Sequence, residues 1–130
     1  MKTGIYKNVD KVFSGPEGAL NTLLGVFMKV IDHQRAAWFL FEHEGNLYLD
    51  ANCSHSAFSY CYMIKLSAEE LAEFKIGGHE YLDKLAYDIH YSAPAVKGST
   101  SKYIGRDVSN KLSELSSTAI QLWRNEGGGQ

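Results

Sequence analysis

Residues 36–53, AAWFLFEHEGNLYLDANC, decide the fold. Two apolar, aromatic-rich runs flank HEGN, a polar stretch with glycine at the turn, which is a hairpin signal. Side chains alternate along a strand, so a loop of two or four residues fixes the faces. Trp38, Leu40, Leu47, Leu49 and Ala51 then share one face, which reads as core. Phe39, Phe41, Tyr48 and Asp50 share the other. That second face is aromatic but carries a carboxylate, which is consistent with a half-covered surface; if a helix lies over it instead, the core has three layers.

Working outward, a third strand is expected over Ala57 to Leu66. It alternates Phe58, Tyr60, Tyr62 and Ile64 against Ser59, Cys61 and Met63. A weaker strand near Ile5 is a candidate edge. Upstream of the hairpin, a helix is expected from Pro16 to Asp32. Ser14 and Glu17 fit a capping box, and Leu20, Leu23, Leu24, Phe27, Met28 and Ile31 follow helical spacing. Downstream, Ser67 and Glu70 form a second capping box opening a short helix. Gly77-Gly78 breaks it, and a further helix runs from His79 to Tyr91, with Leu82, Leu85, Ala86 and Ile89 as its core stripe. APAVKGSTSKYIG reads as a mobile polar loop. The last helix starts near Asp107, with Val108, Leu112, Leu115, Ala119, Leu122 and Trp123 as its apolar stripe and Gly127 past its end. The expected fold is α+β: an antiparallel meander of three to four strands on three to four helices, in the order α-β-β-β-α-α. One domain is expected over 1–126, followed by a disordered glycine-rich tail, 127–130.

Composition narrows the function. The 130 residues carry a formal net charge of -2, with Lys and Arg spread along the chain. A nucleic-acid site needs a clustered basic face, so none is expected. The longest apolar run, Ala36 to Phe41, is six residues, whereas a membrane span needs about 20. The segment MKTGIYKNVDKVFSG lacks the apolar stretch of a signal peptide, so a cytoplasmic protein with reduced thiols is expected.

YLDANCSHSAFSYCYMI, residues 48–64, holds both cysteines. Cys53, His55 and Cys61 are soft-metal or thiol candidates. A structural zinc site uses four ligands in closely spaced pairs, and no second pair follows. The plainer reading places Cys61 in the core and His55 in a turn. On the helix from His79, the residues His79, Asp83, Tyr87 and His90 fall within a sector of roughly 80°, centred about 105° from the core stripe. His79 and His90 stand about 16 Å apart along the axis, so only His79 with Asp83 is close enough to act on one ion or proton. Ser99-Thr100-Ser101-Lys102 matches S-x-x-K but lacks the companion motifs of that chemistry. The glycines and lysines of VKGSTSKYIGR lack phosphate-loop spacing.

Eight Tyr, six Phe and two Trp remain as a supply of interface side chains. The candidate partner-binding residues are Phe39, Phe41, Tyr48, Asp50, Tyr60 and Tyr62. Glu42, Glu44 and Asp50 near the hairpin, and Glu69, Glu70 and Glu73 on the short helix, would suit a basic partner. In size, slight acidity and α+β layout the chain resembles small single-domain bacterial proteins that neutralise toxins by binding them. The expected function is therefore a non-enzymatic, cytoplasmic protein-binding domain of immunity or inhibitor type, without cofactor, metal, nucleic acid or membrane. The alternative is a small enzyme or metal-dependent protein using Cys53/His55 or His79/Asp83. Self-association through the hairpin or the last helix is a third reading.

Overall fold

The computed structural model describes residues 27–55 and 58–128. A four-stranded antiparallel meander is formed by β1 (Lys29–Gln34), β2 (Trp38–His43), β3 (Asn46–His55) and β4 (Phe58–Lys65), in spatial order β1-β2-β3-β4. Two helices follow among the described residues, α1 (Ala68–Ser92) and α2 (Ser109–Asn125).

The β2–β3 hairpin closes through Glu44-Gly45, both at positive φ, as a two-residue turn whose twist matches the strands requires. The register Trp38↔Ala51, Leu40↔Leu49 and Phe41↔Tyr48 follows. It places the two predicted sets of side chains on opposite faces. Trp38, Leu40, Leu47, Leu49 and Ala51 join Leu82, Leu85, Ala86 and Ile89 of α1 in the main core. Phe41 joins Met28, Met63 and Ala119 in a second core beneath α2, with Phe39, Tyr48, Val108, Leu112 and Leu115 packed around it. The sheet is thus covered on both faces.

Three expectations are corrected. First, the helix predicted to run to Asp32 is strand by Lys29; its earlier part, the capping box at Ser14 and the strand near Ile5 lie outside the described residues. Val30 and Ile31 are β-branched and pair with β2, and that ladder outweighs a helical pattern read locally. A bulge between Val30 and Asp32 turns both Ile31 and Asp32 toward α1. Second, the two helices expected on either side of Gly77-Gly78 form one element, kinked at Gly78, whose φ 59°, ψ −139° suits glycine alone. The described order is therefore β-β-β-β-α-α rather than α-β-β-β-α-α, with two helices rather than three or four. Third, the loop after α1 is pinned rather than loose. Ser92 and Ser101 share a 2.7 Å hydroxyl bond, Ser99 Oγ donates to the Ser92 carbonyl at 3.1 Å, and Tyr103 is buried, its carbonyl accepting from Tyr62.

The capping box is formed as read: the Ser67 N–H donates to Glu70 Oε1 at 2.8 Å, and the Glu70 N–H donates to Ser67 Oγ at 3.1 Å. The Glu70 carboxylate also takes Arg106 in a two-pronged pair at 2.7 and 2.8 Å, and it is held below the usual carboxylate range by those bonds despite its partial burial. The N-cap of α2 is Val108, which has no side-chain cap bond, rather than Asp107; one residue earlier, Asp107 Oδ1 accepts the Ser109 N–H at 2.9 Å and the Met63 N–H at 3.1 Å and so ties the helix start to β4. At its end, Gly128 N–H reaches the Trp123 carbonyl and Gly127 N–H the Arg124 carbonyl, a Schellman closure. The first two glycines of the tail therefore belong to the helix cap. No helix among the described residues is long and apolar enough to cross a membrane.

Candidate functional site: an aromatic ladder beside a cleft

The site arises from a mismatch of strand lengths. β3 has ten residues and β2 six. With Trp38 opposite Ala51, the last residues of β3 overhang the β1–β2 turn and have only β4 beside them. Asn52 N–H still reaches the Ala37 carbonyl at 2.9 Å. Two residues on, Ser54 N–H points to the same edge, where no strand remains. It donates instead to His90 Nδ1 of α1 at 3.2 Å, which places the neutral ring's proton on Nε2. That bond ties the second half of α1 to the overhang.

Around this tie, rings touch in sequence. Tyr91 stacks on Tyr87 with centroids 5.8 Å apart, and Tyr87 lies 6.3 Å from His90. His90 stacks on His55 at 4.8 Å and 12°. His55 meets Phe58 at 6.1 Å and Tyr60 at 6.0 Å. The ladder spans both the sheet end and α1, and its outer rungs are open: Phe58 is 51% exposed, Tyr87 60% and Tyr91 74%. His55 Nε2 is buried within it without a hydrogen-bond partner.

Beside the ladder lies a cleft of about 350 Å³ lined by Ala36, Ala37, Trp38, Asn52, Ser54, Asp83, Ala86, Tyr87 and His90. Trp38 Nε1–H donates to Asp83 Oδ1 at 2.8 Å, fixing the carboxylate at its rim. Along the same side of α1, His79 Nδ1 meets Asp32 at 2.8 Å and its Nε2 meets Gln34 at 3.0 Å, while Asp83 stands 3.8 Å away. His79 thus braces α1 against β1.

The sequence-predicted site residues do not form one surface. Phe39, Phe41, Tyr48 and Asp50 share a face, as expected, but α2 covers it. Phe41 is fully buried and Phe39 packs edge-on against Trp123 at 5.3 Å. Asp50 Oδ1 is buried without a hydrogen-bond partner, and burial together with the nearby Asp107 charge pushes its carboxyl up to about 6. Tyr60 and Tyr62 lie opposite Cys53 and Ala51, on the α1 side of the sheet. Tyr62 is buried there, its hydroxyl donating to the Tyr103 carbonyl at 2.7 Å. Only Tyr60 belongs to the ladder. Of the hairpin acids, Glu42 is buried, with its carboxyl raised by that burial, while Glu44 is exposed.

Cys61, expected in the core, lies outside it. Cys53 is buried in the main core and Cys61 is exposed. Cys61 pairs with Asn52 and Cys53 with Tyr60, so adjacent registers place the two thiols on opposite sheet faces. Burial pushes the Cys53 thiol up to about 11, which opposes formation of the nucleophilic thiolate. His55 ends β3 rather than sitting in a turn. Among the described residues, no group of three or more His, Cys, Asp or Glu is arranged to hold a metal ion.

Phe58, Tyr91, His55 and His90 were missed as a surface, although Tyr87 and Tyr91 give a sequence signal: two tyrosines at i, i+4 outside the core stripe. Comparisons with protein-family models, with curated proteins and with solved structures return no match for this chain.

Proposed function

We propose that the chain is a non-enzymatic, cytoplasmic protein-binding domain that acts by occupying its partner, with an immunity or inhibitor role as the concrete form. The observation that carries this reading is the continuous ring ladder from Phe58 to Tyr91, whose outer members are largely exposed. Exposed aromatics in a cluster are costly to leave in water and are the side chains most enriched at binding hot spots. The ladder is held by packing and by the Ser54–His90 bond, so little order has to be gained on binding.

Tagged full-length protein is expected to capture one stoichiometric protein from extracts of its source. The double variant Tyr87→Ala, Tyr91→Ala is expected to weaken that binding at least about 30-fold, as loss of hot-spot contacts does. Stability should change by no more than about 0.5 kcal/mol, since both side chains are mostly exposed. Unchanged capture by the double variant would sink the ladder as the binding surface. A homodimer dispersed by the same variant, measured by light scattering, would identify the partner as a second copy.

A further inference from the structure

The cleft beside the ladder has a chemistry of its own. Its floor is apolar and shallow-walled, from Ala36, Ala37, Ala86 and the Trp38 ring. Tyr87 stands at its side as an exposed aromatic face. Among the lining residues Asp83 is the fixed charge, and no Lys or Arg faces it from the cleft. Asp83 Oδ1 is oriented by Trp38, while Oδ2 has His79 Nε2 at 3.8 Å, beyond hydrogen-bond reach. Asn52 and Ser54 alternate with Ala51 and Cys53 and so turn away from α1; they border the cleft at the edge of β3, where Asn52 Nδ2 donates to the Ala36 carbonyl at 2.9 Å.

These groups select among ligands. An anion would meet Asp83 with no lining cation to offset it. A neutral apolar group would strip water from the carboxylate without replacing its hydrogen bonds. A cation on an alkyl stem satisfies both parts: the stem lies on the alanines and the Tyr87 ring, and the head meets the carboxylate. A flat guanidinium can stack on the Tyr87 ring while its fork meets the carboxylate, which favours it over the compact ammonium.

We infer that the cleft is a specificity pocket for an arginine side chain of the protein partner. This rests on the protein-binding reading and names the chemistry that reading requires of the partner: an exposed arginine adjoining the surface that covers the ladder.

The test uses full-length ¹⁵N-labelled protein and N-acetyl-arginine amide as the probe. The two tryptophans give two indole N–H signals, separated by a Trp123→Phe variant. Because the Trp38 N–H is bonded to Asp83, its signal reports on the cleft. The expected result is a saturable shift of the Trp38 signal, half-complete at roughly millimolar probe, as befits a fragment. N-acetyl-citrulline amide, equal in shape but uncharged, should leave it in place. Asp83→Asn keeps an acceptor for Trp38 and should weaken the arginine response at least about tenfold, while Ile104→Ala, exposed and neither in the cleft lining nor in the ladder, should preserve it. No saturable shift, or an equal shift with citrulline, overturns the inference. A captured partner that binds the Asp83→Asn protein as tightly as the native one also overturns it, and leaves the ladder reading standing. Failure of the protein-binding reading looks different: no partner is captured by any form of the protein.

Discussion

Truncating Phe41 to alanine is expected to destabilise the protein by about 3–5 kcal/mol, the cost of removing a large aromatic from a closed core. The side chain is fully buried and packs with Met28, Met63 and Ala119 beneath α2, with Leu112 and Leu115 of that helix close by. Phe39 and Tyr48, also partly buried under α2, hold the surrounding shell, so collapse around the lost ring will be incomplete and a cavity will remain. Leu49→Ala, on the α1 face, is expected to cost about 2–5 kcal/mol for the same reason. Urea denaturation of the two variants reads both faces of the sheet in one experiment. Comparable losses are what a three-layer core demands. A loss below about 1 kcal/mol for Phe41→Ala alone would mean that α2 is not docked and that this face is open. The magnitude also bears on the proposed function: a ring this deeply enclosed is a poor candidate for a partner contact, which is why the proposed surface rests on the rings that remain outside.

How far the sequence led can be judged residue by residue. The partition of Trp38, Leu40, Leu47, Leu49 and Ala51 from Phe39, Phe41, Tyr48 and Asp50 was legible because a short even hairpin fixes parity, and parity fixes faces. The Ser67/Glu70 box was legible because its bonds are local. The β1 strand was not. Phe27, Met28 and Ile31 satisfy a helical stripe, and only the pairing with β2, together with the bulge that turns Asp32 to His79, makes the segment extended. The faces taken by Tyr60 and Tyr62 were not legible for a related reason. Their parity against β3 depends on the connection after His55, and a one-residue difference there moves every side chain across the sheet. The exposure of Cys61, expected in the core, follows from the same register. The ladder itself depends on α1 lying over an overhanging β3, a contact between residues 36 positions apart, Ser54 and His90, which no local pattern encodes.

Asp50→Asn is expected to stabilise the protein at neutral pH. Its Oδ1 is enclosed without a hydrogen-bond partner, and desolvation, with repulsion from Asp107 added, raises the carboxyl from the usual 3.8 to about 6. The sign follows from linkage. Between those two values the folded state holds a proton that the unfolded state has released, so stability falls as pH rises through the interval and the penalty is complete above it. At roughly 1.4 kcal/mol per pH unit, the full penalty is at most about 3 kcal/mol; partial exposure of the residue brings the expected gain for the asparagine variant to about 1–3 kcal/mol at pH 7.5. The gain should shrink steadily as pH falls through 6, become small near 4 and vanish below the ordinary value of 3.8, where the native carboxyl is neutral in both states. The difference between the two proteins is the quantity to follow. Glu42, raised by burial, and Glu70, lowered by Arg106 and Ser67, tilt the native curve in opposite directions but are common to both proteins. Urea melts of native and Asp50→Asn protein at pH 4.0, 5.5 and 7.5 measure it. A variant less stable than the native protein at pH 7.5 would show that the Asp50 carboxylate is held by a favourable contact, and that its burial is a requirement of this face rather than a cost carried by it.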